Sequence, residues 1–427
     1  EFLIAYNINL NTGDRRYANE IAYELRERGR WKRSGNVEPF YYKGDVVNFE
    51  EGVYPDGNSA HVAASFEELA DWYKDSYGKD LYERYRGIGL DPDNLPGSPV
   101  YKDGMFTHLK GIGWVVEDYG CAQVSLNLTN YKVTPPQAVL EAARDLAKQR
   151  GMVVTGSEIV GVVPLDAMLG AGRFYLRRMQ KSTGVPARDI VTTAVQSMGL
   201  NDVAPFDIDR KVIGLPNAGG PLARLGVADF VDEVSRDTPA PGGGSIAALA
   251  GALGAALASM VANLSIGKGE FDGRYDELCS LAEQAQAAKD ELVQAIDADT
   301  EAFNEVIAAL RMAKDTPEQI AARAAAIRAG YKSAARVPLR TAQLCRGVLD
   351  LCQAAAQVGN QAVMSDAGVA ALMAYAGVQG AIHNVRINLP HTRDEAFTEE
   401  MQSTLGTLAA ESRAICEAIQ QDVENSY

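Results

Sequence analysis

The fold of this chain is decided by one stretch, Thr238-Pro239-Ala240-Pro241-Gly242-Gly243-Gly244-Ser245, and by the run of small and apolar residues that follows it, from Ile246 to Gly267. A helix of this composition has no polar face, so we expect it to be buried at the centre of a helical domain. Proline and three glycines cannot extend the helix backward, whereas Ser245 can cap it. The free backbone N–H groups at its start predict a site for an anionic ligand.

Two other interpretations of this stretch remain to be weighed. The run is as long as a membrane span, but Ala and Gly contribute little transfer free energy and Asn263 and Ser265 lie near its end, so the sequence predicts no span. Alternatively, the small residues serve only to let neighbouring helices approach closely, and the glycines form only a turn. On sequence alone, this second interpretation is as well supported as the ligand loop.

Composition narrows the class of protein. The chain has 427 residues, of which 47% are hydrophobic and 23% charged, enough for two or three cores in a soluble globular protein. A net charge of −15 argues against nucleic acid as the main partner. The five cysteines have no metal-ligand spacing and no catalytic triad spacing is present, so we expect buried thiols, a cytoplasmic protein and no metal.

The first part of the chain has the pattern of a mixed α/β lobe. Apolar residues alternate in the strands and recur at helical spacing between them. The pattern predicts the order β-α-β-β-α-β, with strands at 2–10, 113–117, 122–128 and 152–155 and helices at 18–25 and 134–151. This is the α+β ferredoxin-like unit, interrupted by an insertion at about 31–108 that is rich in Tyr, Gly, Asp and Pro. We expect one helical piece in the insertion, near 65–77.

One face of this predicted sheet carries amide side chains. Both helices of the unit cover the other face, so the amide face must pack against a partner, hold a ligand or face solvent. Lys, Glu and Thr are more usual on a solvated face, which favours a binding face for a polar, planar molecule. The side chains are those of Asn7, Asn9, Gln123, Ser125 and Asn127.

The sequence predicts two domains. Residues 208–224 contain Pro216, Gly219, Gly220 and Pro221 and have the composition of a linker. The predicted first domain is therefore 1–207, and the second is an all-α helical bundle over 225–427.

In the second domain, acidic and amide residues interrupt apolar helices. Asp299 lies on the apolar stripe of a long helix, while Asp297 points to nearly the opposite side, where we expect it to be solvated along with Asp290. Burial would raise the pKa of Asp299 and let it exchange protons near neutrality, although a structural carboxylate is an equally good interpretation. Asn384 and Asn388 are four residues apart and share a helix face.

A further polar cluster comprises Asn360, Ser365 and Asp366. Hydrogen bonds between helices and a site for a heterocycle account equally well for this cluster and for the two asparagines.

Several segments together resemble formimidoyltransferase-cyclodeaminase. They are FLIAYNINL (2–10), GIGW (111–114), AQVSLNL (122–128), GSEIVGVVP (156–164), APGGGS (240–245), GNQAVMSD (359–366) and HNVRINL (383–389). The resemblance implies a folate enzyme of histidine degradation. In such an enzyme, the α+β part transfers a formimino group from formiminoglutamate to tetrahydrofolate. The helical part closes 5-formiminotetrahydrofolate to 5,10-methenyltetrahydrofolate and releases ammonia.

The resemblance also implies roles for individual residues. The cyclodeaminase acid maps to Asp299 in IDADTEAF, and Lys268 is expected to meet the negatively charged, polyglutamated tail of the folate. The remaining expected folate-binding residues of the helical part are Gly242, Gly243, Gly244, Ser245, Asp366, Asn384 and Asn388. Those of the α+β part are Asn127, Ser157 and Glu158.

The resemblance is incomplete in the transferase half. The family has two transferase lobes with the catalytic histidine in the first, and this sequence aligns from the second, so transferase activity is expected only if an N-terminal lobe is supplied as a partner. Two alternatives to a cyclodeaminase stay open: a methenyltetrahydrofolate cyclohydrolase and a non-catalytic folate-binding assembly subunit. Under all three interpretations the small-residue helix predicts a homo-oligomer.

Overall fold

The computed structural model describes residues 2–34, 43–216, 219–358 and 360–426. The chain divides into two compact units: unit 1 consists of Glu1–Tyr175 and Ile190–Leu215, and unit 2 of Leu176–Asp189 and Pro216–Tyr427. The change at Leu215 falls inside the predicted linker. Segment 176–189 lies in the predicted first domain but belongs to unit 2.

Unit 1 combines helices with a four-stranded sheet. Its elements are β1 (Ile4–Leu10), α1 (Arg15–Leu25), β2 (Arg30–Trp31), β3 (Tyr54–Pro55), β4 (Val62–Ala63), α2 (Phe66–Tyr77), α3 (Leu81–Gly87), β5 (Tyr101–Lys102), β6 (Leu109–Val116), β7 (Cys121–Leu128), α4 (Pro136–Gln149), β8 (Val154–Val160), β9 (Val163–Pro164), α5 (Leu165–Arg178), α6 (Ala187–Met198), α7 (Ile208–Lys211) and β10 (Val212–Ile213). The last residues of α5 and the first of α6 belong to unit 2. The sheet has the order β6-β7-β1-β8, and every neighbouring pair is antiparallel.

The core of unit 1 lies on the helix-covered face of the sheet. In β1 the side chains of Ile4, Tyr6, Ile8 and Leu10 are fully buried, and they pack in one cluster with the apolar side of α1 and α4. The odd-numbered residues of β1 therefore point to the other face, because side chains alternate along a strand. Asp14 caps α1 by accepting a hydrogen bond from the backbone N–H of Arg16.

The insertion folds around a small aromatic core of its own. Phe49, Phe66, Tyr73 and Tyr85 are buried together. The predicted helical piece is α2, and α3 is a second helix that the sequence did not indicate. The two strand pairs β2-β5 and β3-β4 complete the described part, and residues 35–42 lie outside it.

Unit 2 has only helices as regular elements in its described residues. They are α8 (Val227–Val234), α9 (Gly243–Ser265), α10 (Tyr275–Leu310), α11 (Pro317–Val358), α12 (Met364–Thr392) and α13 (Glu395–Asn425), with short 3-10 turns between them. Helix α9 packs against α10, α11 and α12, so it occupies the centre of the bundle.

Small residues let α9 approach its neighbours closely. A Cβ on Gly251 would lie 2.3 Å from Sγ of Cys345, and one on Gly254 would lie 2.8 Å from the carbonyl oxygen of Ala370. Larger residues are excluded at both positions. One row of α9 nevertheless stays exposed, contrary to the expected burial on all sides: Ile246 is 37% exposed, Leu253 47% and Leu264 45%.

By length and composition, α9 is also the one helix within the described ranges that could cross a membrane. Of its most apolar window, 67% is buried inside the protein.

Candidate active site

A cavity of about 360 Å³ opens at the N-terminal end of α9. Three helices of unit 2, α10, α11 and α12, contribute side chains to it, and the glycine loop forms one wall. The lining residues are Pro239, Ala240, Gly242, Gly243, Asp299, Thr300, Phe303, Tyr331, Ala334, Asn384, Ile387, Asn388 and His391. Asp299 is the one acidic side chain among them, and no lysine or arginine lines the cavity.

Asp299 projects from α10 against the start of α9. A Cβ on Gly244 would lie 2.0 Å from its Oδ1, so only glycine leaves room for the carboxyl group. Burial raises the pKa of Asp299, and the hydrogen bond that its carboxyl group accepts from the backbone N–H of Ser245 opposes this shift in part. A carboxyl group in this state can exchange a proton closer to neutrality than an ordinary aspartate.

Asp297 is a buried structural residue, and the expectation that it is solvated was wrong. Its side chain is 7% exposed. Its carboxylate accepts hydrogen bonds from the backbone N–H groups of Gly220 at 3.0 Å, Leu222 at 2.9 Å and Ala223 at 3.2 Å. The chain that enters the helical unit folds over this side of α10, which the periodicity of a single helix cannot reveal.

The glycine loop meets the cavity through Gly242 and Gly243. Gly242 is the N-cap of α9 and offers no side-chain cap. Ser245 was expected to cap the helix and contact folate, but its hydroxyl is fully buried and donates to the carbonyl oxygen of Ile296 at 2.7 Å. Its backbone N–H serves Asp299 instead, so Ser245 holds the acid in place.

Asn384 and Asn388 both line the cavity, one helical turn apart. Nδ2 of Asn384 donates to the carbonyl oxygen of Gly380 at 2.8 Å. Nδ2 of Asn388 donates to those of Ala334 at 3.0 Å and Asn384 at 2.7 Å. In the described part of the chain, no donor bonds to either Oδ1. The two amide oxygens are therefore available to N–H groups of a ligand.

Two predicted folate-binding residues lie at the opposite end of the bundle. Lys268 follows the C-terminus of α9, and the rise of a helix puts it more than about 30 Å from Gly243. Asp366 is in the first turn of α12, about 27 Å along the axis from Asn384 by the same rise. Within one chain, neither residue lines the cavity that contains Asp299.

Several lining residues were not predicted from the sequence. The rings of Tyr331 and His391 are stacked with centroids 4.6 Å apart and an interplanar angle of 25°. Phe303 lies one turn after Asp299 on α10. Oγ1 of Thr300 is buried without a hydrogen-bond partner among the described residues. An aromatic wall and an unpaired hydroxyl suit a flat, hydrogen-bonding ligand.

In unit 1, the expected amide face is partly closed. Nδ2 of Asn9 donates to Oδ2 of Asp202 at 2.9 Å, and Nε2 of Gln123 donates to Oδ1 of Asn9 at 2.7 Å. Trp114 in turn donates to Oε1 of Gln123 at 2.9 Å. These amides therefore bind one another. The open part of the face contains Ser125 and Asn127 of β7, with Glu158 paired to Asn7 in the neighbouring strand.

Ser157 does not belong to that face. Its side chain is fully buried, accepts a hydrogen bond from the Tyr6 hydroxyl at 2.9 Å and donates to the carbonyl oxygen of Met198 at 2.7 Å. Because neighbouring residues of a strand point to opposite faces, Ser157 and Glu158 cannot contact the same ligand. The expectation that Ser157 binds folate was wrong.

One histidine outside the cavity is His61. His61 stacks on Trp72 at 4.1 Å in the insertion. Within residues 2–34, 43–216, 219–358 and 360–426, no group of three or more His, Cys, Asp and Glu side chains could hold a metal ion.

Two family models match the chain. The model described as formiminotransferase-cyclodeaminase matches residues 226–407, and the one described as formiminotransferase domain matches residues 5–215. The chain belongs to the formiminotransferase-cyclodeaminase family. The family resemblance inferred from the sequence is thereby confirmed.

Relatives within and near the formiminotransferase-cyclodeaminase family match different extents of the chain. Formimidoyltransferase-cyclodeaminase of Rattus norvegicus is 37% identical over 314 residues, which is 73% of this chain and 58% of the rat protein. Methenyltetrahydrofolate cyclohydrolase of Methylorubrum extorquens is 42% identical over 199 residues, 47% of this chain and 96% of that protein.

A solved structure was also matched. Formiminotetrahydrofolate cyclodeaminase of Thermotoga maritima shares 28% identity, with a TM-score of 0.43, over 47% of this chain and 97% of that one.

Proposed function

We propose that unit 2 is a formimidoyltetrahydrofolate cyclodeaminase, which converts 5-formiminotetrahydrofolate to 5,10-methenyltetrahydrofolate and ammonia. The observation that carries the proposal is Asp299, a partly buried carboxyl group with a raised pKa, which is the one acidic group in the wall of the cavity. The family match over residues 226–407 supports it.

The proposed reaction uses one proton twice. N10 of the folate attacks the formimino carbon, and the C=N bond to the terminal nitrogen becomes single. The Asp299 carboxylate takes the proton from N10 and gives it to the terminal amino group. This group then leaves as ammonia when the bond between it and the former formimino carbon breaks. The positive charge of the formiminium group remains on the methenyl product. A carboxyl group with a raised pKa suits both transfers.

The other cavity residues would position the folate. The free Oδ1 atoms of Asn384 and Asn388 can accept from ring or amino N–H groups. The Tyr331 and His391 pair and Phe303 offer flat apolar surface to a pteridine. Gly242 and Gly243 let the ligand approach the backbone closely. Neither Lys268 nor Asp366 has a role in this proposal.

A cyclohydrolase is the second candidate, and the Methylorubrum extorquens relative favours it. In that reaction, water attacks the same carbon of methenyltetrahydrofolate, and a carboxylate at the position of Asp299 would take the proton from water. A non-catalytic role fits less well, because Asp299 has a single structural hydrogen bond and lies at a cavity.

One assay separates these functions. 5-Formiminotetrahydrofolate is added to the chain, and the methenyl absorbance band and ammonia are followed together. Formation of both supports the cyclodeaminase. Loss of the band from added methenyltetrahydrofolate, without ammonia from the formimino substrate, would establish the cyclohydrolase. Neither reaction from a chain that binds folate would leave the non-catalytic role.

For unit 1, we propose a ferredoxin-like lobe that contributes to tetrahydrofolate binding in formimino transfer from formiminoglutamate. The sheet order and the succession β1, α1, β6, β7, α4 and β8, with the insertion left out, support the fold. Asn127 and Glu158, on the open part of the polar face, are the proposed contacts. Retention of tetrahydrofolate binding by Glu158→Ala and Asn127→Ala variants would count against this assignment.

Finally, we propose that the chain forms a homo-oligomer in the cytoplasm. Besides the exposed row of α9, α12 exposes two apolar side chains, Val369 at 48% and Leu372 at 49%. An uncharged surface of this kind is typical of subunit contacts. Four of the five cysteines are buried as free thiols, which fits a reducing compartment.

A further inference from the structure

A second cavity, of about 420 Å³, lies in unit 1 between α1 and the strand pair β2-β5. It is on the helix side of the sheet, whereas the polar face described above is on the other. Basic and aromatic side chains dominate its lining. The lining residues are Arg16, Asn19, Glu20, Tyr23, Arg26, Arg28, Gly29, Arg30, Trp31, Arg33 and Tyr101. Five arginines thus surround one cavity in a chain whose net charge is −15.

The carboxylates beneath this cavity are already paired. Arg30 forms ion pairs with Glu20 and, at 3.4 Å, with Glu24. Lys102 pairs with the other oxygen of Glu24 at 2.9 Å. Glu20 and Glu24 are buried at 3% and 6% exposure. Their charges are therefore neutralised locally by Arg30 and Lys102.

Three of the remaining arginines have no carboxylate partner among the described residues. Arg26 donates only to backbone carbonyl oxygens, those of Gly29 at 3.1 Å and Gly111 at 3.2 Å. Arg33 likewise donates to the carbonyl oxygen of Gly44 at 2.7 Å. Arg28 is exposed and has no hydrogen bond or ion pair within the described chain. Burial lowers the pKa of Arg26, Tyr23 and Tyr101 oppose this shift, and the positive charges of Arg28 and Arg30 add to it.

The backbone holds these arginines in place. Gly29 has a φ of +63°, and a Cβ there would lie 2.0 Å from the carbonyl oxygen of Lys102, so the turn that carries Arg28 and Arg30 is pressed against β5. Trp31 packs edge to face on Tyr101 with centroids 5.1 Å apart, which makes one wall rigid. Apolar walls lower the local dielectric and strengthen charge interactions inside the cavity.

We propose that this arginine cavity binds a compact polyanion, one that carries at least two neighbouring phosphate or carboxylate groups. Guanidinium groups bind such oxyanions in bidentate geometry, and three uncompensated charges match a multivalent ligand. A singly charged anion would gain little against the negative field of the whole chain. The proposal is independent of the cyclodeaminase reaction, since it concerns other residues in another unit.

The test uses the full chain and isothermal titration calorimetry at fixed ionic strength. One arm titrates inorganic triphosphate, and the other titrates a peptide of three glutamates. Each arm is repeated with Arg28→Ala and, as the matched control, Arg15→Ala. Arg15 is exposed at the start of α1, whereas Arg28 lies in the turn after that helix, and Arg15 does not line the cavity. We expect at least one anion to bind, Arg28→Ala to raise its Kd by about tenfold or more, and Arg15→Ala to change it less than about twofold.

The outcomes are distinct. Binding of the triphosphate alone assigns a phosphate ligand, and binding of the peptide alone assigns a carboxylate ligand. If both variants weaken anion binding equally, the anion is attracted diffusely to the basic surface around α1, and the proposal is overturned. The absence of binding of either anion also overturns it. Both variants should retain cyclisation of 5-formiminotetrahydrofolate if the chain has that activity.

Discussion

Gly244 lies directly against the carboxyl group of Asp299, so that a Cβ at position 244 would stand 2.0 Å from Oδ1. The absence of a side chain at position 244 of α9 is thus what makes room for the carboxyl group on α10 that we propose to be catalytic. Gly244→Ala is expected to displace the carboxyl group and reduce cyclisation by at least about tenfold, since small misplacements of a catalytic group are costly. Steady-state kinetics would measure it.

The control for that substitution is Gly406→Ala. Gly406 lies within α13, and a Cβ there meets nothing within 4 Å. It should leave activity unchanged and stabilise the fold by about 0.5–1 kcal/mol. Full activity of Gly244→Ala would mean that the acid is not needed where the structure places it.

Asp299→Asn should remove cyclisation without unfolding the protein. The amide keeps the size of the carboxyl group but cannot shuttle the proton, so we expect a decrease in kcat of about 100-fold or more. Asp290→Asn, on the same helix and outside the cavity, is the matched control. If Asp299→Asn retained cyclisation with a normal circular dichroism spectrum, the assignment of the acid would be lost.

Asp297→Ala should lower the stability of the fold. It leaves three backbone N–H groups without their acceptor, which should lower the free energy of unfolding by about 2–4 kcal/mol. Urea denaturation measures the change. Asp290→Ala should cost less than about 0.5 kcal/mol, and an equally small effect at Asp297 would show that its hydrogen bonds do not hold the segment.

The raised pKa of Asp299 predicts a dependence of stability on pH. In the folded state the neutral form is favoured, so the contribution to stability is present below the ordinary value of 3.8 and is lost as pH rises through the folded pKa. Relative to Asp299→Asn, the wild type should therefore lose stability across that interval and stay constant above it. Thermal melts of both proteins from acid to neutral pH would show this, and parallel curves would contradict it.

Leu253→Glu should dissociate the proposed oligomer. It puts a charge in the exposed apolar row of α9, where the side chain is 47% exposed in the single chain and replacement does not disturb the core. Analytical ultracentrifugation should show a smaller species. Val227→Glu, at an 85% exposed position outside that row, should leave the size unchanged. Unchanged sedimentation of Leu253→Glu would place the subunit contact elsewhere.

The sequence predicted the features that arise within single elements. The apolar stripe of α10 correctly pointed Asp299 inward, because helical periodicity determines which side of a helix a residue occupies. It failed at Asp297, because the segment that covers this residue comes from elsewhere in the chain. The ring pair of Tyr331 and His391 was missed for the same reason, since the two residues meet only when α11 and α12 pack.

The geometry of regular elements also limits which side chains of one chain can share a ligand. Asp366 and Asn384 lie on one continuous helix, and its rise alone separates them by about 27 Å. Ser157 and Glu158 are neighbours in a strand, so their side chains point to opposite faces. In both cases residues were grouped by family resemblance, although their spacing in a regular element puts their side chains apart.

The fastening of residues 220–223 to Asp297 has a mechanical consequence. Asp297 and Asp299 are separated by about 3 Å of helix rise, and a helix is stiff over that distance. A force on residues 220–223 is therefore transmitted to the turn of α10 that carries Asp299. The orientation of the Asp299 carboxyl group is therefore mechanically coupled to tension in residues 220–223.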